Sequence, residues 1–274
     1  MSGMGMSMGN PREAWDHAAS YEPYIGRWSR PVAREFLRWL GVRAGQRWLD
    51  VGCGTGAMTG AVLAGAGPAA LVGLDASAAY VGHLRRELRG DARACFAAGD
   101  AQSLPFAAEE FDAAVSGLVL NFVAAPARAV AEMARVVARG GLVAAYVWDY
   151  AGSMELIRHF WDAAVALDEG ARDLDEGRRF PLCQPAELER LWRAANLEAV
   201  VVRHIDVPAI FRDFDDYWSP FLGGQGPAPS YVASLAEERR AALRERVRAA
   251  LPVGDDQSIR LVARAWAVRG RRAH

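Results

Sequence analysis

The sequence predicts an α/β fold in which helices cover both faces of a doubly wound, mostly parallel sheet of seven strands. Segments typical of strands and of helices alternate from residue 47 to residue 148, as expected for such a sheet. Three glycines at every second position follow the first strand. The alternation ends after Asp149, which predicts that a helical lid insertion follows the parallel core.

The elements of the core follow from the spacing of apolar residues. Residues 31–41 are the first predicted helix, because apolar side chains recur there at helical spacing and Pro31 suits a first turn. Predicted strands then cover residues 47–51, 70–74, 94–98, 112–117 and 142–148, and predicted helices cover residues 57–65, 77–89 and 126–138. Right-handed crossovers place the loops after parallel strands at one edge of the sheet, where such folds hold ligands.

The second half of the chain is less regular. Helices are predicted at 154–168, 185–195 and 231–250, strands at 199–211 and 259–268, an Arg- and acid-rich link at 169–180, and an aromatic stretch at 214–222 followed by a glycine-proline loop. We therefore expect a flexible tail over residues 1–20 and a single domain over residues 21–274. Within that domain the core covers residues 31–149, the lid residues 150–257 and the last strand residues 258–270.

Composition disfavours several classes of partner. The formal net charge of −1 provides no basic field for nucleic acid, and no apolar run is long enough to span a bilayer. The three cysteines are far apart and form no cluster with metal-ligand spacing, so no metal is expected. The first ten residues lack the pattern of a signal peptide, and we expect a cytoplasmic protein.

The glycine-rich turn after the first strand predicts a nucleotide-like ligand. Gly52, Gly54 and Gly56 allow the backbone to turn sharply and leave no side chain to keep a ligand away from the main chain. The helix that follows presents free N–H groups to such a ligand. The alternative is a tight turn between strand and helix that binds nothing.

Asp75 ends the second predicted strand, about twenty residues beyond the glycine turn, where a nucleotide-binding fold needs an acid. Its carboxylate can accept hydrogen bonds from both ribose hydroxyls. A dinucleotide-dependent oxidoreductase is one alternative, because Gly52, Gly54 and Ala57 fit a relaxed form of the dinucleotide motif. The other is an aspartate that only caps the next helix.

Five segments together resemble the class I S-adenosylmethionine-dependent methyltransferases, specifically the methyltransferase type 11 group of small-molecule enzymes. They are residues 49–56 (LDVGCGTG), 74–77 (LDAS), 99–106 (GDAQSLPF), 111–116 (FDAAVS) and 132–141 (EMARVVARGG). The resemblance covers residues 44–148 in order. It implies a Rossmann-like fold, S-adenosylmethionine as cofactor, and methyl transfer to a small-molecule acceptor by in-line displacement.

The resemblance also implies which residues bind the cofactor. They are Tyr21, Arg27, Asp50, Gly52, Cys53, Gly54, Gly56, Asp75, Ala76, Gly99, Asp100, Ala101, Gln102, Ser116 and Leu118. Asp100 and the next N–H would contact the adenine ring. Arg27 would pair with the methionine carboxylate while Tyr21 closes over the methyl donor, and the alternative for this segment is packing on the core with Arg27 in solvent.

Catalytic residues are less clearly indicated, because displacement from a sulfonium needs alignment and exclusion of water more than covalent chemistry. A base is needed only if the acceptor loses a proton, and His159, Asp149 and Tyr150 are the candidates. Many relatives have a His-His pair after the fourth strand, where this chain has Leu120-Asn121-Phe122, and Asn121 cannot act as a base.

The acceptor itself is expected to be an unidentified small molecule. Nine aromatic residues concentrated in and near the lid suit either an apolar acceptor pocket or the core beneath the lid. They are Trp148, Tyr150, Phe160, Trp161, Phe211, Phe214, Tyr217, Trp218 and Phe221. A non-catalytic cofactor-binding protein or a cyclase on the same fold, or an NAD-dependent oxidoreductase, are the alternative functions.

Overall fold

A computed structural model of the chain describes residues 25–223 and 226–274. The predicted tail and Tyr21 lie outside these ranges. The seven strands are β1 (Arg47–Val51), β2 (Ala70–Asp75), β3 (Ala94–Ala98), β4 (Phe111–Gly117), β5 (Val137–Trp148), β6 (Leu197–Phe211) and β7 (Ile259–Arg272). They form one sheet in the order β3-β2-β1-β4-β5-β7-β6, in which only the pairings of β7 are antiparallel. This arrangement confirms the predicted fold class.

Helices cover both faces of the sheet. They are α1 (Arg27–Leu40), α2 (Ala57–Gly65), α3 (Ala78–Glu87), α4 (Pro126–Val136), α5 (Glu155–Leu167), α6 (Glu176–Arg179), α7 (Pro185–Ala194), α8 (Phe214–Trp218), α9 (Pro227–Ser234) and α10 (Glu237–Ala250). Successive residues of β1 point to opposite faces, so Trp48 packs in the cluster with α1 and α2, whereas Leu49 packs in the cluster with α4 and α7. Within the described ranges, none of these helices has both the length and the apolar character that crossing a bilayer demands.

The first helix begins four residues earlier than predicted. Its buried stripe starts at Trp28 and continues through Val32 and Phe36. Pro31 therefore lies beyond the first turn and removes the N–H that would bond the carbonyl of Arg27. The burial of Trp28, which is 4% exposed, offsets the loss of that hydrogen bond.

The prediction of one helix over residues 231–250 is wrong. Two helices, α9 and α10, occupy the region, and they are separated by Leu235 and Ala236 in extended conformation. Neither residue is a helix breaker, but Glu237 and Glu238 follow at once, and acidic residues favour the first turn of a helix. Strand β5 also begins earlier than predicted, at Val137 rather than at residue 142. The register shift between β4 and β5 after Phe111 accommodates the additional residues.

Most of the aromatic residues near the lid form a core. Phe160 stacks on Phe221 with ring centroids 4.6 Å apart, and Tyr217 and Trp218 pack against Phe221. All four side chains are at most 4% exposed. The part of the lid formed by α5, α8 and α9 is therefore built on packed rings rather than around an open pocket.

The sheet has its switch point between β1 and β4. From β1 the chain proceeds through β2 and β3 toward one edge, and from β4 through β5 toward the other. The loops after β1 and β4 consequently diverge and leave a crevice at the carboxyl ends of the strands. They also approach each other closely, because a Cβ on Gly52 would overlap the side chain of Val119.

Candidate functional site

The turn after β1 supplies the floor of the site. Gly52, Gly54 and Gly56 all have positive φ values, of 78°, 49° and 86°, which side chains disfavour. The N–H groups of Gly52 and Cys53 both donate to the carbonyl of Leu74, at 2.7 and 3.0 Å. These two bonds tie the turn to the end of the neighbouring strand and hold the backbone in the shape of a cradle.

Asp75 lies at the carboxyl end of β2 and faces that cradle. Its Oδ2 accepts a hydrogen bond from the N–H of Gly54 at 2.9 Å, and its Oδ1 accepts one from the N–H of Ser77 at 2.8 Å. Ser77, not Asp75, caps helix α3. Burial raises the pKa of Asp75, while the two backbone hydrogen bonds act in the opposite direction. A carboxylate has further lone pairs, so this group can still accept from ligand hydroxyls.

Asp100 lies at the carboxyl end of the next strand, beside the same crevice. Its Oδ1 accepts from the backbone N–H of Gln102 at 2.8 Å and from the Gln102 side-chain amide at 3.1 Å. These hydrogen bonds lower the pKa of Asp100, so the exposed group is ionised at neutral pH. Two carboxylates therefore follow two neighbouring strands.

A cavity of about 610 Å³ connects these groups. The predicted cofactor residues that line it are Gly52, Cys53, Gly54, Asp75, Ala76, Gly99, Asp100, Ala101, Gln102 and Leu118. Over the ends of β4 and β5 the lining continues with Tyr146, Trp148 and Tyr150. The cavity thus has a polar end with carboxylates and an aromatic end.

Several residues of this lining were not predicted from the sequence. Tyr146 was one of them, although Tyr146, Trp148 and Tyr150 alternate on one side of the chain as β5 ends, a spacing that could have indicated a shared face. Tyr80, in the first turn of α3, gave no such signal. Its role depends on how α3 packs over β2 and β3.

Tyr150 has its backbone held from two sides. Its N–H donates to the thiol of Cys183, and its carbonyl accepts from Nη1 of Arg158 at 2.7 Å. Arg158 also forms a two-pronged ion pair with Asp175, both distances being 2.8 Å. Gly177 packs so closely that an added Cβ would lie 2.6 Å from the carbonyl oxygen of Tyr150. The short helix α6 is therefore docked on Tyr150 through its backbone.

The aromatic end continues from Tyr150 to the mouth of the cavity. Its ring packs against Phe180 at 5.9 Å, and Phe180 meets Phe122 edge-on at 5.2 Å. Phe122 lines the cavity and is 38% exposed. Of the nine aromatic residues singled out in the sequence, Trp148 and Tyr150 line this cavity, and the remainder lie outside its lining.

Arg27 is placed away from the cavity lining. Its guanidinium donates to the carbonyl of Ile210 at 2.9 Å and to Asp216 at 3.2 Å, and it lies over the rings of Trp28 and Phe211. These contacts fasten the start of α1 to β6 and α8. The geometry therefore does not support the prediction that Arg27 pairs with the methionine carboxylate.

Three other predicted cofactor residues also lie outside the lining. Ser116 is fully buried and donates its hydroxyl to the carbonyl of Val51 at 2.8 Å, which joins β4 to β1. Gly56 is the N-cap of α2 and abuts Leu84. Asp50 is fully buried beneath the glycine turn and accepts from the hydroxyl of Thr59 at 2.6 Å. Each of the three residues therefore supports the glycine-rich turn without lining the cavity.

Of the candidate bases, Asp149 and His159 also lie outside the lining. Asp149 accepts from the N–H of Ser153 at 2.8 Å and so closes the turn after β5. His159 lies half-buried on α5. Among the described residues that line the cavity, the carboxylates are Asp75 and Asp100, both at the polar end, and no imidazole is present.

Comparisons with known proteins agree with this geometry. A family model described as a methyltransferase domain matches residues 49–145. The demethylmenaquinone methyltransferase of Roseiflexus sp. (strain RS-1) is 41% identical over 178 residues, which cover 60% of this chain and 72% of that protein. An uncharacterized protein of Mycobacterium tuberculosis is 33% identical over 149 residues, which cover 50% of this chain and 49% of that protein. The chain spans about half the length of the first curated relatives it matches.

A solved structure with the same fold carries the methyl donor. Phosphoethanolamine N-methyltransferase 2 of Haemonchus contortus, in complex with S-adenosyl-L-methionine, aligns with a TM-score of 0.60 at 16% identity. The alignment covers 97% of this chain and 60% of that one. The residues of the present site fit such a ligand, because the cradle admits a ligand close to the main chain and two carboxylates can meet a ribose and an adenine amino group.

Asp75 should be required for binding the nucleoside. Asp75→Ala should weaken binding of S-adenosylhomocysteine by roughly ten- to a hundredfold, because hydrogen bonds to a charged group contribute about 1.5–3 kcal/mol. Titration calorimetry measures this directly. Asp91→Ala removes a carboxylate from the surface turn before β3 and serves as the control. Equal affinities of the two variants would contradict the assignment of Asp75.

Asp50 should make stability depend on pH. Burial raises its pKa to about 7 in the folded protein, whereas an aspartate in the unfolded chain titrates near 4. The folded state therefore holds this proton more tightly, and stability is lost as pH rises from about 4 to about 7, by at most about 4 kcal/mol. Asp50→Asn lacks this loss, so its melting temperature relative to the wild type should be higher at pH 8 than at pH 5. Parallel curves would contradict the burial of an ionisable Asp50.

Proposed function

The chain belongs to the class I S-adenosylmethionine-dependent methyltransferases, and we propose that it methylates a small, planar aromatic acceptor. One observation carries this proposal. A single cavity joins the two carboxylates at the ends of β2 and β3 to an aromatic wall over the ends of β4 and β5. The two ends differ in chemistry and suit two different ligands.

The polar end suits the nucleoside of the cofactor. Asp75 accepts from the ribose hydroxyls while its other lone pairs remain bonded to Gly54 and Ser77, which fixes the direction of the carboxylate. Asp100 then lies one strand further out, where the base extends. With the nucleoside over β2 and β3, the acceptor belongs over β4 and β5.

The aromatic end suits a flat apolar ring. Tyr146, Trp148 and Tyr150 are at most 3% exposed, so they offer packed faces rather than mobile side chains. Aromatic pairs contribute about 0.5–1.5 kcal/mol beyond the burial of their area, which favours an aromatic acceptor over an aliphatic one of equal size. The demethylmenaquinone methyltransferase among the relatives bears the name of a quinone and supports the same choice.

S-adenosylmethionine, when bound, supplies a methyl group already activated by the sulfonium. The chain's own residues hold the acceptor in line with that methyl group and exclude water. The nucleophilic atom of the acceptor forms a bond to the methyl carbon as the carbon–sulfur bond breaks, and the bonding pair leaves with sulfur. The described lining has neither carboxylate nor imidazole at the acceptor end, so the acceptor loses its proton to bulk solvent before it binds in the site. This favours an acceptor that ionises readily by itself, such as a phenol or a quinol.

The proposal predicts methyl turnover with an aromatic probe. The enzyme and S-adenosylmethionine should release S-adenosylhomocysteine when 1,4-naphthoquinol, kept reduced, is added, and mass spectrometry should find the probe heavier by one methylene unit. Ethanolamine and an aliphatic alcohol serve as comparison acceptors. Tight binding of S-adenosylhomocysteine without turnover of any acceptor would favour a cyclase or a non-catalytic protein instead.

A substitution at Gly177 should impair use of the acceptor and leave binding of the cofactor unchanged, which distinguishes the two ends of the cavity. Gly177→Ala crowds the carbonyl of Tyr150 and should displace the aromatic wall, so the KM for the acceptor should rise about tenfold or turnover should cease. Binding of S-adenosylhomocysteine should stay within about twofold of the wild type. Gly90→Ala adds the same methyl group where no atom lies within 4 Å and is the matched control.

A further inference from the structure

The loop that carries Asp100 is held by side chains of helix α4. Residues 100–106 follow β3 without regular structure, and few of their backbone groups can find partners in the sheet. Leu104 nevertheless is only 5% exposed. Its N–H donates to Oε2 of Glu132 at 2.8 Å, and its carbonyl accepts from Nη2 of Arg135 at 3.0 Å. Both backbone groups of one buried residue thus depend on one pair of side chains.

Glu132 and Arg135 also hold each other. They lie one turn apart on α4 and form a two-pronged ion pair at 2.7 and 2.8 Å. Arg135 has a further donor, Nη1, which bonds the carbonyl of Phe106 at 2.9 Å. The hydrogen bonds from Arg135 hold the pKa of Glu132 below its usual range, so the pair remains charged. The fixed fork of the guanidinium suits this set of acceptors, which a lysine ammonium could not satisfy together.

Gln102 connects the other end of α4 to Asp100 itself. Helix α4 begins after Ala125, which has no side chain to cap it, and the N–H of Ala125 donates to Oε1 of Gln102 at 2.9 Å. The amide nitrogen of Gln102 then donates to both oxygens of Asp100, at 3.1 and 3.2 Å. The helix therefore holds the loop at two places, at its N-terminal end through Ala125 and toward its C-terminal end through Glu132 and Arg135.

We propose that Glu132 and Arg135 are positioning residues that set the selectivity of the cofactor site for adenine. They do not line the cavity, and they act by fixing the loop so that Asp100 and Gln102 stand at a defined distance from the base. This inference rests on the proposed placement of the nucleoside over β2 and β3. It assigns to α4 a functional task beyond packing on the sheet.

The test compares two ligands that differ only in the base. S-inosylhomocysteine carries a carbonyl oxygen in place of the adenine amino group, so Asp100 should reject it. Titration calorimetry should show that the wild type prefers S-adenosylhomocysteine by about tenfold or more. In Arg135→Met the affinity for S-adenosylhomocysteine should fall about tenfold and the preference should approach one. Glu132→Gln, a milder change, should reduce the preference in the same direction, and Arg135→Lys should not restore it.

The matched control is Arg193→Met, which breaks a similar ion pair with Glu189 on the surface of α7. It should leave both affinities unchanged. A fall in both affinities with the preference intact would reduce Glu132 and Arg135 to structural residues and overturn the inference, as would unchanged binding by Arg135→Met. A wild type that binds both ligands equally would overturn it too. Binding of neither ligand by the wild type would instead contradict the proposed function.

Discussion

The site depends on one steric constraint between two loops. The main chain after β1 must pass beside the loop after β4 with no side chain between them, because a Cβ at Gly52 would overlap Val119. The left-handed conformations of Gly52, Gly54 and Gly56 allow the main chain to make this close passage. The loops that diverge at the switch point then border the cavity at the carboxyl ends of the strands.

The chemistry of the cavity follows from which strands end on each side of that point. The ends of β2 and β3 bring Asp75 and Asp100, whose oxygens are directed by backbone N–H groups and by Gln102. The ends of β4 and β5 bring aromatic rings instead. Tyr150 stands just beyond β5 and is fixed by Arg158 and Cys183 rather than by the sheet. A polar nucleoside and an apolar acceptor can therefore meet above the glycine turn.

The sequence predicted the parts of this arrangement that depend on local patterns. Buried parallel strands read as apolar runs, so the core was correctly predicted. Gly52, Gly54 and Asp75 stand at fixed places relative to those runs, and the structure brings them together along one cavity, whereas their binding of a cofactor stays a prediction. Arg27 was assigned to the cofactor, but its partner Asp216 lies 189 residues away. The sequence left open whether the aromatic residues near the lid form a pocket or a core, and contacts such as that of Phe160 with Phe221 place most of them in the core, whereas Trp148 and Tyr150 line the cavity. Local spacing of residues in a sequence does not predict contacts between distant parts of the chain.

The most direct test of this account is a crystal structure of the protein with S-adenosylhomocysteine bound. We expect the ribose hydroxyls within hydrogen-bonding distance of Asp75, the adenine beside Asp100, and the sulfur directed toward Tyr150. Difference density that places the nucleoside over the ends of β4 and β5, or in another part of the molecule, would contradict it.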